Sequence, residues 1–316
     1  MMAQPSPSSF PSPSLVPSTH LGVHLARIGY QKYGAELREL HQVLHDFCAV
    51  PKTACLSCTV ELELSYMRLR ETNPSVVWEI SPASGFMTLT ILHALSANGN
   101  NASLHSFDVL PHVRILEPQF RDLTRQWRFH HMDARKLVGP GGSLALPIPP
   151  PDYLCLDSKH TEIMGTFYIS SLLPAVQRHG HVHVSLHDVY NPLFWTDRIK
   201  RDFQHHPRWM PNLEGAMVLD WLAFRADACR LFTPAPSKLG NQQNFAAIME
   251  VREALGKLRP LDLVDRWKGS CPDSTVYFEL NCTNQWPAPP AAAPAPSIGR
   301  IVTRPRAARV LRGSSR

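Results

Sequence analysis

SVVWEISPASGFMTLTIL, residues 75–92, sets the reading of the whole chain. Residues 75–80 are a short apolar run that ends beside an acid, the pattern of a strand buried on both faces. Residues 81–86 hold Pro82 and Gly85 and read as a tight turn. Residues 87–95 are apolar at helical spacing. A strand, a turn with one glycine and a helix make the first half of a strand–helix–strand unit.

Working outward, the same alternation repeats. Residues 103–109 (SLHSFDV), 128–132, 152–156 (DYLCL) and 181–186 (HVHVSL) read as strands, with helices over 112–125 and 161–178 and a Gly/Pro-rich loop over 139–151. Residues 192–206 and 213–227 read as helices, and 229–233 and 275–280 as closing strands that form an antiparallel hairpin. Upstream, residues 21–46 and 59–70 carry helical periodicity, and Asn73-Pro74 ends the second segment. Strand–helix alternation with right-handed crossovers predicts an α/β, Rossmann-like doubly wound fold, mostly parallel, with helices on both faces and an antiparallel C-terminal strand. The expected organisation is a Ser/Pro-rich disordered start (1–20), N-terminal helices (21–70), the α/β domain (71–285) and a disordered Pro/Ala- and Arg-rich tail (286–316).

The formal net charge of +6 has one local source. Arg300, Arg304, Arg306, Arg309, Arg312 and Arg316 lie in a segment without acids, and residues 1–298 are neutral without them. The folded part is therefore not basic enough for a nucleic-acid-binding domain, and only the tail could touch an RNA, a membrane surface or an acidic partner. No apolar run reaches the length of a membrane span, and a basic start with an apolar block is lacking, so a cytoplasmic protein without a membrane span is expected, with an organellar transit segment in the acid-free, Ser/Pro-rich start as the alternative. The 7 cysteines are odd in number. Cys48, Cys55 and Cys58 cluster near His41 and His45, a weak zinc signal, and Cys271 and Cys282 bracket the last predicted strand.

Ligands of open parallel sheets bind beyond the carboxyl ends of the strands. There the sequence places Glu79, Asp108, Asp133, Asp157 and the pair His187-Asp188. One such acid is an ordinary helix cap, whereas acids at five consecutive strand ends suggest a site. Gly85 permits close backbone approach, and Asp108, one strand–helix unit further on, is placed to accept from ribose hydroxyls. The turn 81–86 lacks the G-x-G-x-x-G that cradles a pyrophosphate, which argues against a dehydrogenase and leaves a nucleoside without phosphates.

In these segments the chain resembles the class I S-adenosylmethionine-dependent methyltransferases. EISPASGFMT (79–88) is similar to their motif I, SFDV (106–109) to motif II, HHMDA (130–134) to the adenine-binding segment and DYLCLDSKH (152–160) to motif IV. LDSKHTEIMGTFYISSLLP followed by VHVSLHDVYNP is similar to the group with small-molecule O-methyltransferase and cephalosporin-hydroxylase-like members. The resemblance covers about residues 75–280. It implies that Glu79, Ser81, Pro82, Gly85 and Phe86 approach the amino-acid part of S-adenosylmethionine, that Asp108 holds the ribose, and that Asp133 and Ala134 meet the adenine. The chain departs from the family at Ser81, where glycine is usual.

The resemblance also implies a divalent cation, Mg²⁺, Mn²⁺ or another, on Asp157, His187 and Asp188. Here His187 stands where an acid is usual. Three readings stay open: a metal that acidifies the acceptor hydroxyl, a metal-free general base at His187 or His160, and a purely structural role. The implied function is methylation of a small-molecule hydroxyl, with Asp157, His160 and His187 as catalytic candidates. The alternatives are a catalytically silent binding domain and an RNA methyltransferase anchored by its tail.

Overall fold

A computed structural model describes residues 19–49, 59–111, 121–189, 213–223, 228–232 and 275–281. The expected helix over 192–206, most of that over 112–125, both termini, Cys55, Cys58, Cys271 and Cys282 lie outside these residues. Residues 282–316 are likewise outside them.

Two helices come first, α1 (Thr19–Ala49) and α2 (Thr59–Thr72). Strand β1 (Val76–Ile80) leads through residues 81–85 into α3 (Phe86–Asn98), and β2 (Ser103–Asp108) follows. Then come β3 (Trp127–His131) and β4 (Tyr153–Leu156). The expected helix over 161–178 is present as α4 (Glu162–Phe167) and α5 (Leu173–Gln177), joined by a π-helical turn at Tyr168–Leu172. Strand β5 (Val182–Leu186), helix α6 (Leu213–Ala223) and strands β6 (Ala228–Phe232) and β7 (Val276–Leu280) complete the domain.

The seven strands lie in the order β3-β2-β1-β4-β5-β7-β6. The first five are parallel, and β7 is inserted antiparallel between β5 and β6. The chain thus builds outward from β1 in one direction and from β4 in the other. The β1/β4 boundary is a topological switch point, where the crossover helices leave a crevice at the carboxyl ends.

Period-two alternation of the strands sorts the core into two layers. Val77, Leu104, Tyr153 and Cys155 pack under α1, α2 and α3. Trp78, Ile80, Phe107, Leu154, Leu156, Val184 and Leu186 pack on the opposite face with α4, α5 and α6. Helix α2 is buried on nearly every side: Glu61, Leu62, Glu63, Leu64, Ser65, Tyr66 and Met67 are all covered. Its acids have buried partners instead of water. Glu63 accepts from Tyr30 Oη (3.0 Å) and pairs with His41 Nε2 (2.5 Å), so His41 is occupied within the helical layer. On its other flank, Glu36 of α1 takes Arg70 Nε (2.6 Å) and Tyr66 Oη (2.7 Å), which ties α1 to α2. No helix among the described residues is long and apolar enough to cross a membrane.

Candidate functional site

The turn after β1 has the backbone of a ligand-approaching loop. Ser81 (φ 61°), Ala83 (φ 46°) and Gly85 (φ 90°) all take left-handed conformations. Ser81 N donates to Phe107 O of β2 (2.8 Å), and Gly85 N to Pro82 O (2.9 Å), so the loop folds back over the β1/β2 ends. A glycine is the usual answer to such a φ because a Cβ strains it, by about 1–2 kcal/mol. Ser81 therefore carries strain in the same backbone shape that a glycine would adopt freely.

Behind the loop runs a buried polar chain. Thr88 Oγ1, in the first turn of α3, donates to both oxygens of Glu79 (3.0 and 2.9 Å). Ser106 Oγ of β2 donates to Glu79 Oε2 (2.5 Å) and accepts from Trp127 Nε1 of β3 (2.9 Å). Glu79 is only 1% exposed. Its carboxylate thus locks α3 to β2 under the loop, a supporting position. Pro82 is buried and Phe86 opens α3 inside the core.

Asp108 ends β2 nearly buried, with Oδ1 accepting from Leu110 N (2.9 Å). Beside it Val109 and Leu110 are exposed apolar side chains. His131 Nε2 donates to Val109 O (2.8 Å) and braces that corner from β3. His130 instead stacks on Phe107 at 4.8 Å, within the sheet. Asp133 caps the short 3₁₀ turn Ala134–Leu137 by accepting from Arg135 N (2.9 Å), and it also takes the Arg135 guanidinium (2.6 Å). That hydrogen bond holds its carboxyl below the usual carboxylate range. Of the strand-end acids, Glu79 and Asp133 thus have structural partners that account for them, and Ala134 is buried beside the cap.

The β4 and β5 ends converge. His160 Nε2 lies 3.5 Å from Asp157 Oδ1 and 3.7 Å from Asp188 Oδ2. The ligand atoms of Asp157, His160 and Asp188 all fall within 4.8 Å of one another. His160 (φ 55°) and Asp188 (φ 52°) are left-handed, as are Ser81 and Ala83. Four of the six non-glycine residues with positive φ among those described therefore surround this crevice, where strain persists only if the surroundings hold it.

Two fully or nearly buried glutamates stand behind the histidines. His187 Nδ1 is 3.0 Å from Glu61 Oε1 of α2, which also accepts from Thr275 Oγ1, and the His187 Nε2 is buried with no hydrogen-bond partner among the described residues. His160 Nδ1 is 3.6 Å from Glu214 Oε1 of α6, just past hydrogen-bond length, and Ser158 Oγ donates to the other Glu214 oxygen. Helix α6 can come this close because Gly165 of α4 has no side chain: a Cβ there would lie 3.1 Å from Glu214 Cα. Desolvation works to lower the His160 pKa, but Glu214, Asp157 and Asp188 together outweigh it and the net direction is up. Desolvation first, and Asp188 and Glu61 after it, push the Asp157 carboxyl up to about 7 against the pull of His187 and His160. A third of the Asp157 side chain (34%) stays open to water, which screens part of this effect.

The geometry thus brings Asp157, His160 and Asp188 together and sets His187 beside them, bound to Glu61. Sequence reading named all four but found neither glutamate. Glu61 lies in an alternating E-L-E-L segment that looks half solvated, and the only hint was that α2 has no clean polar face. Nothing around Glu214 marks it.

No family model and no curated protein matches the sequence. Among solved structures, the chain is similar to the O-methyltransferase TomG from Streptomyces achromogenes in complex with SAM (13% identity, TM-score 0.43, 78% of this chain and 90% of that one). It is also similar to the O-methyltransferase from Bacillus cereus in complex with SAH (10% identity, TM-score 0.46, 78% and 91%). A third is the SAH-bound methyltransferase from Podospora anserina (12% identity, TM-score 0.37, 78% and 88%).

Proposed function

We propose that this chain is an S-adenosylmethionine-dependent methyltransferase that acts on the hydroxyl of a small molecule. The observation that carries the reading is the joint geometry of the switch-point crevice. A left-handed loop without a pyrophosphate cradle, an acid one strand–helix unit further on, and a cluster of acids and histidines all sit at the same carboxyl-end edge. The ordered motif set in residues 79–160 agrees with it.

S-adenosylmethionine supplies a methyl group activated by a sulfonium. The loop at Ser81, Pro82, Gly85 and Phe86 would receive its amino-acid end, with Glu79 shaping that loop from below. Asp108 would accept from the ribose hydroxyls, and the exposed Val109 and Leu110 offer an apolar edge for the base. Asp133 and Ala134, at the start of the 3₁₀ turn, would meet the adenine. Charged and apolar groups in this order select a nucleoside without phosphates.

The second half of the reaction belongs to the β4 and β5 ends. The acceptor oxygen forms a bond to the methyl carbon while the carbon–sulfur bond breaks, and its proton must leave. His187 would take it: with Glu61 holding an Nδ1–H, Nε2 would be left to accept. Asp157, His160 and Asp188 hold donor atoms suited to a divalent cation, which would lower the pKa of the acceptor hydroxyl. The mixture of one nitrogen with carboxylate oxygens departs from an all-oxygen magnesium site.

Incubation with methyl-labelled S-adenosylmethionine and a panel of phenols, catechols and sugar alcohols tests this. Label in a base-stable ether, lost in His187→Ala, is the expected result. Label that enters only RNA would replace the small-molecule acceptor with a nucleic acid and give the Arg-rich tail a role. Cofactor bound without transfer to any acceptor would favour the silent binding domain.

A further inference from the structure

The donor set at the β4 and β5 ends differs from the one expected for an oxygen-ligated ion, and the difference has a structural cause. His160 sits between two carboxylates on one side and a fully buried carboxylate on the other. Glu214 is 0% exposed and held by Ser158, with Oε1 3.6 Å from His160 Nδ1. A carboxylate behind Nδ1 favours the tautomer with the proton on Nδ1, so the Nε2 lone pair faces Asp157 and Asp188. Its distances to them, 3.5 and 3.7 Å, are long for direct hydrogen bonds. They are close to the spacing of about 3.0–3.4 Å between ligand atoms sharing one ion at bonds of about 2.1 Å. The left-handed backbone at both His160 and Asp188 points the same way, since strain is retained where the side-chain direction is dictated.

We propose that Asp157, His160 and Asp188 form a mixed nitrogen–oxygen site for a divalent transition metal, of the Mn²⁺, Fe²⁺, Co²⁺ or Zn²⁺ class, in preference to Mg²⁺, with Glu214 as the positioning residue for His160. Imidazole suits these ions and not Mg²⁺, which demands oxygen. This ligand set replaces His187, expected from the sequence, with His160; His187 stays beside Glu61, in the position proposed for the proton acceptor. A second triangle, His181, His183 and Glu279, also gathers ligand atoms, but a cation is already there. Arg68 donates to Glu279 and lies 3.2 Å from His183 Nδ1, and its positive charge opposes a metal.

The inference concerns the cluster used in the proposed reaction, but its test reads metal binding, and titration of the metal-free chain with S-adenosylhomocysteine reports separately on the methyl-transfer reading. The full chain, stripped with a chelator, is titrated calorimetrically with Mn²⁺, Co²⁺ and Mg²⁺, and the Co²⁺ complex is followed by visible absorption. One Mn²⁺ or Co²⁺ per chain, bound roughly 100-fold or more tightly than Mg²⁺, is expected. The Co²⁺ spectrum should lack a thiolate charge-transfer band, which separates this site from the Cys48/Cys55/Cys58 segment. Glu214→Gln should weaken binding by about 10–100-fold. His160→Asp should retain a site and shift its preference toward Mg²⁺. Thermal melting checks that both variants fold, and His181→Ala should leave binding unchanged. Equal affinity for Mg²⁺ in the unmodified chain, unchanged preference in a folded His160→Asp, or no binding of any ion would overturn the proposal.

Discussion

Removing the Ser106 hydroxyl is the sharpest probe of how the loop is held. Ser106 is fully buried, donates to Glu79 Oε2 at 2.5 Å and accepts from Trp127 Nε1 at 2.9 Å. Ser106→Ala deletes a hydrogen bond to a charged acceptor, worth about 1.5–3 kcal/mol, and leaves the Trp127 N–H unpaired in the core, which costs about 1–3 kcal/mol. The cavity left by one oxygen is small, so the two losses dominate, and about 3 kcal/mol of destabilisation is expected. For a domain of this size, that is a fall in Tm of roughly 6–12 °C. Thr88→Val removes the other donor to the same carboxylate. Because both act on Glu79, the double variant should deviate from additivity by at least about 0.5 kcal/mol. Urea unfolding followed by tryptophan fluorescence reads all three. A loss under about 0.5 kcal/mol for Ser106→Ala, or strict additivity with Thr88→Val, would refute the view that a buried carboxylate chain locks the loop.

Gly165→Ala should cost about 1–3 kcal/mol in the same unfolding assay, because the new Cβ meets the backbone of α6 at Glu214 as well as Met217 Sδ at 2.9 Å. An unchanged midpoint would mean that α6 does not pack so closely. At Ser81, Ser81→Val should lose about 1–2 kcal/mol, since a β-branched residue tolerates φ 61° poorly, while Ser81→Gly should be neutral or gain up to about 1 kcal/mol. Equal stability of the two would show that the turn does not need a left-handed residue. The raised Asp157 pKa sets a pH dependence in the metal-free chain. Its folded pKa lies above the unfolded value of about 3.9, so its contribution is present below about pH 4 and lost as pH rises toward 7. Asp157→Asn, which cannot ionise, should therefore be more stable relative to wild type at pH 8 than at pH 4. A constant difference in urea midpoint across that range would contradict the assignment.

How far the sequence carries can be traced residue by residue. The strand–turn–helix at 75–92 and the later apolar runs are legible because buried parallel strands are short apolar blocks and their period is local. The insertion of β7 between β5 and β6 is not, since β7 lies 90 residues past β5 and only pairing geometry sets its place. Within the helix expected over 161–178, the π turn at Tyr168–Leu172 leaves no mark in hydrophobic spacing. At the site, acids at strand ends were visible as a group, but their separate tasks were not. Glu79 and Asp133 resemble Asp108 and Asp157 in sequence and differ in partners that come from α3, β2 and Arg135. The reverse holds for Glu61 and Glu214: both look like ordinary helix-surface acids, and only burial by tertiary packing reveals them as the supports of His187 and His160.

The β1/β4 crevice is proposed to hold S-adenosylmethionine through the Ser81–Gly85 turn and Asp108. Calorimetric titration of the full chain with S-adenosylhomocysteine, beside Asp108→Ala and with NADH as a control, tests it most directly. Micromolar binding of S-adenosylhomocysteine, loss of roughly 10-fold or more in the variant as its ribose hydrogen bonds disappear, and no binding of NADH are expected. No binding of S-adenosylhomocysteine to the folded wild-type chain, or affinity unchanged in Asp108→Ala, would contradict it.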